Sequence, residues 1–567
     1  MRIKDIKEFI LNQNNIPKIE KDINNWFNLE DAIIFLLKTK LEVIPVYISC
    51  KQFFLYSLIV PKYKLQRGYI DDLLKWNFGA SNGYSYGYDN RNGKMKPKVF
   101  TPMDDGGNTE ILRNSSPIFF YRFFEGYNNS SFLELNQKIE HILDVYWLED
   151  KKAFCRIDEL GDFKEIITVE KESDLILCTI KKKDLDFYLY LTNSVLIRVF
   201  DVIRVLDISK FSNFKDRKEE ICKNENEKLF LKSTKQFNHE NKINAAWIRG
   251  FQIIKNTTSI KELQKMLKGE KDRKYTSFII NDWKNKKICE WSCDPKKLGN
   301  YFVESNLPYE ISPAFFRPEV LSKYKQDPSK YVLKDRNLVC RGAWSLDYDI
   351  NEEGQVHAYL IDLSHLPYEE QLYWKSFNKE PKAWISKRAE KSDFLGEWDF
   401  EYDALFSLKG ILEKFPKVNF KGKEFTVWEL RKVPDPNLLD NLNYVVTDSK
   451  KEWKDQILVL AQILIDGVNK KAINNLAKYL NCYDNELGSI KLLSVCLERA
   501  GISSDDIKII IDPLLNLWDL RSNVVAHPNK CYPKCNLKNQ FKNLLGNCDK
   551  SMRKLAEIIN RGSLNIE

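Results

Sequence analysis

The sequence predicts an α+β multidomain chain, in which a mixed α/β portion and a β-rich portion are followed by a C-terminal all-α helical bundle. Three observations lead there. Runs of strand length rich in Ile, Val, Tyr and Phe recur through the first 445 residues. Up to about residue 207 they alternate with stretches of helical spacing. From residue 451 onward the apolar period switches to that of amphipathic helices. At ~100–200 residues per domain, 567 residues allow three or four such bodies.

Composition narrows the class. With 43% hydrophobic and 30% charged residues, and only 22 Gly and 19 Pro, the chain is neither collagen-like nor low-complexity. Charges recur through the first eight residues, so the start does not read as a signal peptide. The most apolar runs, 32–37 and 457–465, fall far short of the ~20 residues a membrane helix needs. The expectation is a cytoplasmic protein without membrane contact, its 12 cysteines reduced.

The elements follow in order. Asn28 suits a helix cap, with acids in the first turn and the helix running to about Leu37. Residues 44–60 read as one or two strands, and 79–93 as a loop of Gly, Asn and Tyr. Residues 132–148 have helical spacing. Gly161-Asp162 between apolar runs predicts a hairpin over 154–169, and Thr192-Asn193-Ser194 predicts another between 187–191 and 195–200. Charge then dominates over 208–245, which reads as an exposed linker between a domain at 1–207 and a second at 246–445. That second domain carries a strand–turn–strand over 276–291 and a hairpin turning at Asn351-Glu-Glu-Gly354.

Residues 451–567 read as four or five helices. One spans 456–468, with apolar residues at 457, 460, 461, 464 and 465. A second spans 489–499, between Gly488 and Gly501. A third is expected to start at the cap Asp512-Pro513 and to end before Pro528. The last covers 541–559.

The third helix ends in Leu520-Arg521-Ser522-Asn523-Val524-Val525-Ala526-His527-Pro528. An arginine, five intervening residues and a histidine at a helix end resemble the Rx4–6H motif of the HEPN superfamily. Ser522 stands where the more familiar version has Asn. The resemblance covers 451–567. It implies a metal-independent endoribonuclease, with no cofactor, whose bundles pair as a homodimer so that two motifs face one RNA. Residues 1–445 resemble bacterial defence-associated proteins to which no activity is attached.

The implied chemistry is coherent. RNA carries its own nucleophile, the 2′-OH, so cleavage needs a base, an acid for the leaving 5′-oxygen, and positive charge on the phosphorane. His527 is the side chain that titrates near neutrality, and a helix C-terminus favours its charged, proton-donating form. Arg521 would clamp phosphate oxygens, and Asn523 would orient either group. Six positions on a straight helix place Arg521 and His527 roughly 120° apart. They converge if the helix frays near Ala526, or if sites combine across a dimer. As a whole, the chain resembles the ribonuclease effectors of antiphage abortive-infection systems, cleaving RNA (tRNA or mRNA) when a phage-derived trigger or a partner defence subunit acts on the N-terminal region. The alternative is a non-catalytic HEPN-like subunit for dimerisation or docking in a defence complex.

Other constellations read more simply. His527, Cys531, Cys535 and Cys548 number four, as a zinc site needs, but match no common finger spacing. Asp347, Asp349 and Asn351 imitate the start of an EF-hand loop, but lack its sixth-position Gly and twelfth-position Glu. Glu424, Glu429, Lys432 and Asp435 make a weak version of a metal-dependent nuclease set. Tyr84, Tyr86 and Tyr88 with Arg91 and Lys94 suit stacking on unpaired bases or packing within a Tyr-rich loop.

Charge points back to the motif. The chain's net charge is +9. Residues 521–554 alone carry eight Lys and Arg against Asp549. Lys530, Lys534, Lys538 and Lys542 in this stretch are the expected RNA-binding residues.

Overall fold

The computed structural model describes residues 3–12, 42–50, 53–65, 85–89, 96–100, 115–122, 132–172, 175–207, 217–224, 227–238, 243–267, 273–300, 302–397, 402–420, 423–430, 438–446, 449–522 and 536–562, with isolated positions between 15 and 35. The chain divides into two compact units. The first holds 1–158 and 162–272, and the second 159–161 and 273–567.

The first unit is organised by one 11-stranded sheet. Its strands are β1 (Val43–Cys50), β2 (Phe53–Pro61), β3 (Tyr146–Leu148), β4 (Ala153–Ile157), β5 (Phe163–Glu172), β6 (Leu175–Lys181), β7 (Ser194–Asp207), β8 (Arg217–Asn224), β9 (Glu227–Asn238) and β10 (Ile243–Ile254). Across the sheet they run β8-β9-β10-β7-β2-β1-β6-β5-β4-β3, with Ser116–Pro117 beside β2. The central strands are apolar on both sides because both faces are covered. In β6, Cys178 and Ile180 face a core with Leu185, Tyr188 and Leu189, whereas Leu175 and Leu177 face one with Ile6, Ile10 and Phe53. The expected strands over 44–60 and hairpin over 154–169 are present, and Gly161 takes φ +81° in the turn.

Three expectations in this unit are corrected. Of residues 132–148, which have helical spacing, only Gln137–Leu143 is a helix, between strands at Phe132–Leu135 and Tyr146–Leu148. Residues 187–191 are not a strand but the end of a helix, α2 (Lys182–Leu191), which follows α1 (Gln137–Leu143) in the chain. Leu185, Tyr188 and Leu189 stand at i, i+3, i+4 and are buried, so the run that reads as aromatic strand is one helical face. The charged stretch 208–245 is not a linker. Its described parts form β8, β9 and the start of β10, with β8 at the sheet's edge. An edge strand needs no apolar outer neighbour, and charge there discourages pairing with another chain. The expected boundary at 246 therefore moves to about 272. Of the expected helix after Asn28 only Phe35 is described, helical and buried, and most of the Tyr-rich loop also lies outside the described residues, though Ser85–Asp89 pairs as a strand with Lys96–Phe100.

The second unit begins with a six-stranded sheet. Its main strands are β11 (Ser277–Asp282), β12 (Lys287–Ser292), β13 (Pro313–Phe316), β14 (Asp349–Ile350) and β15 (Val356–Tyr359) in the order β12-β11-β13-β15-β14, with Asn378–Lys379 beside β13. Helices follow: α3 (Ala404–Glu413), α4 (Lys450–Leu464), α5 (Lys470–Tyr479), α6 (Ser489–Arg499), α7 (Ser504–Leu520) and α8 (Leu537–Asn560). The helix over 489–499 has the expected bounds, with Gly488 at its N-cap and Gly501 at φ +75° beyond its end. α7 starts nine residues before Pro513, so Asp512-Pro513 is not its cap. Ser503 is, accepting from the Asp506 N–H, with Asp505 and Asp506 in the first turn. Pro513 cannot donate to the Ile509 carbonyl, and Ile509 is solvent-exposed, so water can take that oxygen.

The expected separation of 246–445 from 451–567 is not seen. One apolar core runs from Phe278 and Trp374 through Leu405, Trp428 and Trp453 to Ile559. α3 packs against α8. The fully buried carboxylate of Asp549 in α8 accepts from Tyr402 Oη (2.5 Å) and Ser407 Oγ (2.6 Å), beside Arg553 at 3.2 Å. Among the described residues no helix is long and apolar enough to cross a membrane.

Candidate functional site

Arg521 follows from the pattern of α7. Ile510, Leu514 and Leu517 are its inward stripe, and Arg521 continues that spacing. Its side chain therefore starts on the buried side and remains only 32% exposed. The helix continues through Arg521 and Ser522 as a wider, π-type turn.

The guanidinium is met by Asp466, which donor-acceptor geometry places at 2.6 Å from Nη1. Asp466 sits just past α4, in a turn fixed from outside. Trp428 is buried and donates from Nε1 to the Ile463 carbonyl (3.0 Å). The Glu429 N–H donates to Gly467 O, and the Asn469 N–H to Val427 O, both at 2.9 Å. Gly467 is required by close approach: a Cβ there would overlap Ile463 O and the Trp428 indole. The backbone around residues 427–429 thus holds Asp466, and Asp466 holds Arg521. The Asp466 side chain is itself 36% exposed, so the pair opens to solvent.

Of the other expected site residues, Asn523, His527, Lys530 and Lys534 lie outside the described residues. Lys538 and Lys542 stand one turn apart on α8, and they line a hollow of about 440 Å³ that does not include Arg521. Its wall also carries Asp335, Asp349, Arg388 and Tyr444. Lys542 Nζ lies 3.8 Å from Asp335, and Lys538 approaches Gly354. Farther along α8, Lys554 pairs with Asp506 (3.0 Å) and Arg553 with Asp549. Much of the charge excess of this stretch thus meets carboxylates of the same unit.

The same hollow exposes a network that sequence reading passed over. Arg388 grips Asp349 through Nε (3.0 Å) and Nη2 (2.6 Å), and Asp335 through Nη1 (2.5 Å). Ser386 Oγ also donates to Asp349, at 2.7 Å. Burial alone would raise the Asp349 pKa, but these donors hold it below the usual carboxylate range. His357 Nε2 accepts from the Ser386 N–H, and burial pushes its pKa down to about 4, so the ring is neutral at pH 7. Asp362 moves the other way: burial first, then Asp347 and Asp393, push it up to about 7. Asp347 and Asp349 of the EF-hand-like stretch lie on strands, Asp349 in β14, and the hairpin turn begins only at Asn351, with Gly354 at φ +75°. Glu424 pairs with Lys417 (3.0 Å), whereas Lys432 and Asp435 lie outside the described residues. Cys548 is fully buried, and burial pushes its thiol up to about 12; Cys531 and Cys535 lie outside the described residues. Among the described residues no group of three or more His, Cys, Asp and Glu is placed to hold a metal ion.

Comparison of the chain with family models, curated proteins and solved structures gives no match.

Chemically, the Arg521–Asp466 pair offers a permanently charged guanidinium, pre-oriented on one side by a carboxylate and reachable from solvent. Such a group suits a phosphate or another oxyanion. Asp466 carried no signal of this in the sequence: the apolar spacing put it inside a helix over 456–468, whereas the helix runs Lys450–Leu464 and leaves Asp466 in the turn beyond. Its pairing depends on α4 and α7 meeting in space.

Proposed function

We propose that the C-terminal bundle is a HEPN-like, metal-independent endoribonuclease that cleaves RNA (tRNA or mRNA) in antiphage abortive infection. Arg521 binds and stabilises the phosphorane, His527 moves protons to or from the ribose and leaving oxygens, and Asn523 orients them. Two copies pair through the bundle, and the N-terminal region senses a phage-derived trigger or a partner defence subunit. The observation that carries this reading is the placement of Arg521: it follows directly on the long helix α7, is fixed by Asp466, and keeps a third of its side chain in solvent. An arginine serving only the core would be covered.

The test is cleavage of RNA by the full chain in EDTA. Arg521→Ala and His527→Ala are expected to abolish it while leaving the circular dichroism spectrum intact. Cleavage that persists in both variants overturns the reading. The second reading, a non-catalytic docking subunit, is favoured by one observation, the occupation of Arg521 Nη1 by Asp466. It predicts that both alanine variants retain phage protection in a plaque assay.

A further inference from the structure

The bundle contains one thiol–thiol contact among the described residues. Cys482 Sγ and Cys496 Sγ lie 4.0 Å apart. The two thiols differ in surroundings. Cys496 is in the third turn of α6, fully buried in the core. Burial, and then the neighbouring Cys482, push its thiol up to about 12, so it stays protonated and shielded from reagents in solution. Cys482 is only half-buried. It follows α5, one residue past Asn481, which takes a left-handed φ of +51°, and its N–H donates to Ala477 O at 2.9 Å. One cysteine is therefore reachable from solvent, and the other is reachable only from the first.

We propose that Cys482 and Cys496 form a redox-sensitive dithiol, in which a hydroperoxide attacks Cys482 and Cys496 resolves the product to a disulfide joining the α5 end to α6. The step balances. The Cys482 thiolate attacks the hydroperoxide, the O–O bond breaks, one oxygen stays on Sγ as a sulfenic acid, and the alcohol or water leaves with the proton. Cys496 Sγ then attacks Cys482 Sγ, the S–O bond breaks, and water leaves with the Cys496 proton. Two thiols and one hydroperoxide give one disulfide, one alcohol (water, for hydrogen peroxide) and one water. The sulfurs must close from 4.0 Å to about 2.0 Å. The Cys482 turn can supply that shift, since it lies beyond the helix end, whereas Cys496 is fixed in packed α6. The high pKa of Cys496 does not prevent the second step. The two sulfurs are already neighbours, and intramolecular placement replaces a bimolecular encounter. Other buried thiols, such as Cys178 and Cys548, have no such partner in reach among the described residues.

The experiment uses the full chain, reduced, treated with stoichiometric hydrogen peroxide, and quenched under native conditions with N-ethylmaleimide. The protein is then unfolded in fresh reagent and mapped by non-reducing peptide mass spectrometry. The expected result is a linked Cys482–Cys496 peptide pair, lighter by two hydrogens than the separate peptides and released by dithiothreitol. Cys482→Ser is expected to abolish the link and leave Cys496 alkylated only after unfolding. Cys496→Ala is expected to let Cys482 accumulate a sulfenic acid trapped by dimedone. The wild-type map and Cys482→Ser do not depend on that core variant folding. Recovery of both peptides singly alkylated, or of Cys482 linked to a different cysteine, overturns the proposal.

Discussion

Gly467→Ala tests how the candidate site is held. The added methyl would stand 2.8 Å from Trp428 Cε2, and closer still to Trp428 Nε1 and Ile463 O. Neither obstacle is a flexible chain end: one is a buried ring, the other helix backbone. If Trp428 swings aside, its N–H and the Ile463 carbonyl lose the bond they share, which costs about 1–3 kcal/mol for buried groups left unpaired. If the turn yields instead, overpacking costs a similar ~1–3 kcal/mol. Where both contribute, the loss is about 2–6 kcal/mol, which at ~2.1 cal/mol/K of unfolding entropy per residue lowers the Tm of the second unit by roughly 3–10 °C. The control is Gly410→Ala in α3, where a Cβ meets nothing within 4 Å; the gain expected from helix propensity is ~0.5–1 kcal/mol. Thermal unfolding followed by tryptophan fluorescence reads both variants. A Gly467→Ala protein within 1 °C of wild type would refute the claim that this turn is locked, and with it the account of how Asp466 is placed.

Arg521→Ala removes an ion pair whose members are each about one-third exposed, so its stability cost is expected to stay below ~1 kcal/mol while RNA cleavage falls ~100-fold or more; a Tm loss as large as that of Gly467→Ala would assign Arg521 a structural role. Arg388→Ala strips the buried Asp349 carboxylate of its main partner and is expected to cost ~3–5 kcal/mol in denaturant unfolding, much of it recovered in Arg388→Ala/Asp349→Asn; no recovery in the double variant would show that packing rather than uncompensated charge sets the loss. Asp362, raised by burial to about 7, holds a proton in the folded chain that the unfolded chain releases near 4, so its stabilising contribution is complete below pH 4 and is lost as pH rises through 7. Asp362→Asn is accordingly expected to gain on wild type by on the order of 1–2 kcal/mol between pH 5.5 and 8.5; equal Tm differences at both pH values would show that Asp362 is not raised.

Which parts were legible depended on whether local signals sufficed. The helix over 489–499 was readable to its ends because Gly488 and Gly501 punctuate it in sequence. The hairpin at Gly161 was readable for the same reason. Phe187–Leu191 misled because strand-forming residue types also spaced themselves as a helical face, and only burial decides between the two. The charged strands β8 and β9 misled because composition reports solvent exposure, not backbone pairing, and an edge hairpin has both. At the candidate site Arg521 was visible as a motif residue, whereas Asp466, 55 positions away, was not. The grip of Arg388 on Asp335 and Asp349 likewise joins positions 53 and 39 apart that no local spacing relates.

The continuous core of the second unit limits how the bundle could be transplanted. A fragment cut at residue 451 keeps α4 to α8 but discards Tyr402 and Ser407, leaving Asp549 with Arg553 alone of those three partners. It also uncovers the α8 surface that α3 covers, and drops the Trp428 strap that fixes the α4 turn. Recombination that grafted only the helices onto another protein would therefore carry the arginine but not its anchoring. The smallest segment that could be inherited intact with that geometry begins upstream of residue 402, within what the primary structure presents as a different domain.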